Sequence, residues 1–75
     1  MRFVFWLRIS PERYLDYYRG VVSVVHARCI DGTTVQFPAS QLRRFIRPEG
    51  IHGLFELQCD AQHKFVGLRR LDEPT

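Results

Sequence analysis

Five side chains of the 75-residue chain have the types that bind zinc or perform thiol chemistry: His26, Cys29, His52, Cys59 and His63. A structural zinc site needs four such ligands converging on one point. His26 and Cys29 are three residues apart and His52 and Cys59 seven apart, so on extended strands each pair points to opposite faces. Both cysteines share the apolar face of their segments, among Val25, Ala27, Phe55 and Leu57. Free cysteine is one of the most buried residue types, and the spacing predicts two reduced thiols used as small hydrophobes, with no metal. A nucleophilic thiol needs a histidine partner and an electropositive, accessible setting, which inward-facing cysteines lack. No Gly-rich phosphate loop, nucleophile elbow or HExxH pattern occurs. Glu56 and Asp60 share the outer side of one segment and read as solvating residues. The sequence therefore predicts no catalytic residue, no enzyme activity and no cofactor.

The remaining concentrated chemistry is cationic. Arg43, Arg44 and Arg47 fall within five residues, and no acidic residue lies four positions from any of them to neutralise the cluster. On a helix over 41–46, Leu42, Phe45 and Ile46 form the inner stripe and the three arginines project from the other side. Arginine grips phosphate or carboxylate with two parallel hydrogen bonds, so this face is a candidate contact for nucleic acid or another polyanion, with Arg69, Arg70 and Trp6 as further candidates. The Arg43/Arg47 spacing is similar to half of the cyclic-dinucleotide motif of PilZ domains. In that family the arginines precede the barrel and a second motif follows, whereas here the pair sits mid-chain and the second half is absent.

These residues must be positioned by short elements. Residues 2–9 alternate, with Phe3, Phe5, Leu7 and Ile9 on one face and Arg2, Val4, Trp6 and Arg8 on the other, which predicts a strand with one buried face. Ser10, Pro11 and Glu12 supply the N-cap, a fixed φ and dipole complementarity for a helix whose stripe is Tyr14, Leu15 and Tyr18, ended by Gly20. Val21–Cys29 and Thr33–Phe37 read as a hairpin around Ile30, Asp31 and Gly32. A two-residue loop would set His26 against Phe37. A three-residue loop with Gly32 left-handed pairs Ala27 with Val35 and Val25 with Phe37, keeping both apolar sets on one face. Pro38 closes that strand, Ser40 is placed to cap the second helix, and Pro48, Glu49 and Gly50 stop it. Residues 51–60 form a strand facing inward through Ile51, Gly53, Phe55, Leu57 and Cys59. In the last strand, Lys64–Leu71, Phe65 and Leu68 have opposite parity, so a bulge at Gly67 is expected to bring both inward.

The order β-α-ββ-α-ββ predicts an α+β domain, a curved and mainly antiparallel five-stranded sheet or small open barrel carrying two short helices. The expected division is a single compact domain over 1–71 and a frayed tail over 72–75. With 45% hydrophobic residues, six of them Phe, such a chain can build a core without staples. The net charge of +3 lies within the ordinary range for a small domain, and Lys64 is the only lysine among eleven basic residues. The first eight residues hold too short an apolar run for a signal peptide or a membrane span, so a cytoplasmic location and no membrane partner are expected.

The stretch Val35-Gln-Phe-Pro-Ala-Ser-Gln-Leu-Arg-Arg-Phe-Ile46, then Gly50-Ile-His-Gly-Leu-Phe-Glu-Leu57 and Lys64-Phe-Val-Gly-Leu68, resembles a family of short bacterial proteins, the domain of unknown function 2835. Tyr14, Leu15, Tyr18, Gly20, Asp31 and Gly32 extend the likeness to the N-terminal half. Family members usually have Leu-Arg-Pro-Phe where this chain has Leu42-Arg43-Arg44-Phe45, which permits a more regular helix here. The resemblance implies a compact stand-alone bacterial domain and carries no activity, ligand or site residue. Two readings follow. The chain is expected to be a protein-interaction or structural module, self-association included, using a sheet edge or the exposed Val4 and Trp6 face. The alternative is nucleic-acid or polyanion binding through Arg43, Arg44 and Arg47.

Overall fold

The computed structural model describes residues 1–72 of the chain; the expected tail beyond Asp72 lies outside them. Strand β1 (Arg2–Ile9) leads into helix α1 (Pro11–Tyr18), then β2 (Val24–Arg28), β3 (Thr34–Pro38), a 3₁₀ helix (Ala39–Phe45), β4 (Ile51–Cys59) and β5 (Phe65–Arg70). The fold is α+β. Its strands form two antiparallel sheets, β1-β4-β5 and β2-β3, rather than the single five-stranded sheet or barrel expected from sequence. The physical reason lies in β2–β3. Val25, Ala27 and Phe37 share one apolar face, and laying that face over the inner side of the larger sheet buries both surfaces at once. Phe5 stands at the centre, stacked on Phe37 at 5.7 Å and on Phe55 at 6.4 Å, with Phe45 edge-on to Phe55 at 5.1 Å.

The sequence pattern accounts for most element ends. The Ser10 hydroxyl accepts the Arg13 amide at 3.2 Å, and Pro11 opens α1. Tyr14 is buried and Tyr17 packs against the core, whereas Leu15 and Tyr18, expected inside, are exposed. Backbone bonds from Arg19, Gly20 and Val22 satisfy the last carbonyls of α1, so Val21–Ser23 close the helix and β2 begins only at Val24. The hairpin has the three-residue loop and the predicted register, Ala27 with Val35 and Val25 with Phe37, with Gly32 at φ +91°. The last strand does carry a bulge, one residue before the expected Gly67: Gln58 faces Gly67 and Cys59 faces Phe65, leaving Val66 as the extra residue.

The second helix departs from expectation. Ser40 does not cap it; Pro38 stands at the N-cap with no side-chain bond. A 3₁₀ helix repeats about every three residues, which aligns Ala39, Leu42 and Phe45 on one edge facing the core. Ile46, expected in the inner stripe, instead leaves the helix in extended conformation and is exposed.

Candidate interaction surface

The inner face of β1-β4-β5 is covered by the other elements. Its outer face is a plain grid of side chains set by strand register. Arg2 lies beside Gln58, Val4 beside Glu56, Trp6 beside Leu54 and Arg8 beside His52, while Arg69 of β5 borders Glu56. Trp6 is 56% exposed, whereas Val4, expected to be exposed with it, is half-buried. Glu56 was expected to be solvating and is only 5% exposed. It sits on the central strand, where neighbours on both sides close over it. Its Oε1 accepts from Arg69 Nε at 2.9 Å and from Gln58 Nε2 at 3.2 Å.

A groove adjoins this face. Strands β1 and β2 meet at the backbone bridge between Phe5 and Cys29, supported by the Ile30 amide donating to the Val4 carbonyl at 2.9 Å. Beyond it they part, opening a cleft of about 240 Å³ whose walls include Trp6 and Arg8 from β1, His26 and Arg28 from β2, and Arg13 and Tyr17 from α1. No Asp or Glu lines it. The side chains of Arg8, Arg13 and Arg28 make no ion pair or hydrogen bond among the described residues. Only His26 is engaged, its Nε2 lying 3.0 Å from Gln36 Oε1.

The arginines singled out by sequence do not share one face. A step of one residue on a 3₁₀ helix turns the side chain by about 120°. Arg43 accordingly reaches α1, over the Tyr18 ring at 5.6 Å, while Arg44 turns to β5 and donates to the Leu68 carbonyl at 2.6 Å. Arg47 lies past the helix, in the turn it closes with Gly50. Arg70 is also committed: it donates to Asp72 Oδ1 at 3.0 Å and to the His52 carbonyl, and covers the Phe55 ring.

Cys29 is buried in the core. Cys59 is only half-buried, lining a depression of about 320 Å³ with Phe3, Val35, Leu57 and His63, because it lies at the end of β4. His52 Nε2 instead meets the Glu49 carbonyl at 2.8 Å. Among the described residues no three His, Cys, Asp or Glu side chains come together as a metal site. No helix of the described residues is long and apolar enough to cross a membrane. The groove escaped sequence reasoning because residues 8, 13 and 28 are dispersed. The available signal was that Arg8 and Arg28 both occupy outward positions on strands, next to the one Trp.

Residues 1–71 match the family model described as "Protein of unknown function (DUF2835)". No curated protein and no solved structure matches the chain.

Proposed function

The chain belongs to the DUF2835 family, and from that premise we propose that it is a small non-enzymatic interaction module whose working surface is the open sheet face around Val4 and Trp6. One observation carries this reading. The outer side of β1-β4-β5 presents Trp6, 56% exposed, beside half-buried Leu54, with half-buried Val4 next along β1. An exposed apolar side chain with apolar neighbours on a sheet face is the kind of surface through which small domains make contacts. The depressions beside Cys59 and between β1 and β2, about 320 and 240 Å³, lie at or below the ~300–1,000 Å³ of enclosing ligand pockets, which favours surface binding over catalysis. Contact through the second helix is less well supported, since Arg43 and Arg44 diverge and Arg44 is tied to Leu68.

The test is photo-crosslinking in cells from a benzophenone side chain placed at Val4, with Glu12 on the exposed side of α1 as the comparison site. Macromolecular adducts concentrated at Val4 are expected. Equal yields from the two positions would refute the assignment of the face.

A further inference from the structure

We propose that the partner of this surface is a single-stranded nucleic acid, its bases stacking on Trp6 and its phosphates held in the groove between β1 and β2 by Arg8, Arg13 and Arg28. The inference rests on the reading of the Trp6 face as the working surface and names its ligand. Two observations point to it. First, cationic residues from three elements that are distant in sequence line one groove, and none of the three guanidinium groups has a protein partner among the described residues. All three are exposed, and solvated guanidinium groups lining a groove free of carboxylates are available to an external anion.

Second, aromatic and cationic side chains alternate. Trp6 and Arg28 stand one residue past the Phe5–Cys29 bridge on facing strands, and Arg8 follows Trp6 on the same strand face, while the Tyr17 ring on the α1 wall packs against the core. Bases stack on such rings whatever their sequence, and the neighbouring arginines follow the backbone. An acidic peptide would use the arginines and leave Trp6 without a stacking partner. Stacking on an exposed ring needs splayed, unpaired bases, which a single strand offers and a duplex does not.

The experiment is fluorescence anisotropy with the full chain and a labelled mixed-sequence oligonucleotide of about ten nucleotides. Three phosphate contacts predict a log–log salt slope of about −2, from ~0.7 per phosphate on a single strand. Combining Arg8→Gln, Arg13→Gln and Arg28→Gln should abolish that slope and most of the affinity. Trp6→Ala should weaken binding about ten-fold or more. Combining Arg43→Gln, Arg44→Gln and Arg47→Gln should leave both nearly unchanged. All the groove side chains changed are exposed and unpaired, and circular dichroism verifies that each variant is folded. No binding at about 50 mM salt, equal affinity for duplex, equal displacement by polyglutamate, or loss confined to the Arg43, Arg44 and Arg47 variant would each overturn the inference. The two readings fail separately. Protein adducts from Val4 without oligonucleotide binding would keep the face and remove the nucleic acid. Oligonucleotide binding that is indifferent to Trp6 would remove the role of the face and overturn the inference as stated.

Discussion

Glu56 and Arg69 form an ion pair at 2.9 Å in which the carboxylate is enclosed and the cation is not: the Glu56 side chain is 6% exposed and that of Arg69 60%. The pair lies beside Val4 on the open face, so it sets the charge on which a partner lands. Removing Arg69 leaves a desolvated carboxylate with Gln58 as its remaining donor. Arg69→Met should cost about 1–2 kcal/mol at neutral pH, below the cost of breaking a fully buried pair because Arg69 is half in water. Glu56→Gln, which removes the charge, should cost less. Urea melts of the two variants check the order.

Two glycines with positive φ predict different penalties for the same added methyl group. A Cβ at Gly32 meets nothing within 4 Å, so Gly32→Ala pays only for the left-handed conformation, about 1 kcal/mol or a fall of roughly 4–8 °C in Tm. A Cβ at Gly50 would stand 2.1 Å from the Ile9 carbonyl oxygen, where β1 hands over to α1. Gly50→Ala should lose more than about 3 kcal/mol. Equal melting temperatures for the two variants would contradict this packing.

The thiols should separate kinetically. Cys29 is 5% exposed beside the bridge to β1, and Cys59 is half-buried at the end of its strand. Titration of the native protein with an aromatic disulfide should modify Cys59 first, and Cys29 only as the domain opens. Two equally fast thiols would place Cys29 outside the core.

Asp31 in the hairpin loop accepts from the Thr33 hydroxyl at 2.6 Å and from its amide at 3.0 Å, and these bonds hold its carboxyl below the ordinary value of 3.8. A carboxyl depressed on folding adds stability that is present above its unfolded pKa and lost as pH falls through the folded value. Asp31→Asn should therefore reduce the stability lost on acidification below about pH 4. Denaturant midpoints at pH 7 and pH 3 measure the difference.

What was legible in the sequence was local. The hairpin register followed from keeping Val25, Ala27, Val35 and Phe37 on one face, and the bulge from the opposite parity of Phe65 and Leu68, both consequences of a period of two. The second helix is ambiguous in sequence: Leu42, Phe45 and Ile46 suit an α repeat, whereas Ala39, Leu42 and Phe45, spaced by threes, fit the 3₁₀ repeat that the structure adopts. That difference also splits Arg43 from Arg44. Burial of Glu56 depends on β4 lying between β1 and β5, and the groove depends on the Phe5–Cys29 bridge. Both are long-range pairings that alternation along a single strand does not encode.

The central claim, that the module works through the Val4 and Trp6 side of its larger sheet, is tested most directly by comparing in-cell photo-crosslinking from Val4 with crosslinking from Arg47. The account predicts adducts from Val4 that disappear when Trp6→Ala is introduced, with few from Arg47. Adducts from Arg47 that persist in the Trp6→Ala background, with none from Val4, would contradict it.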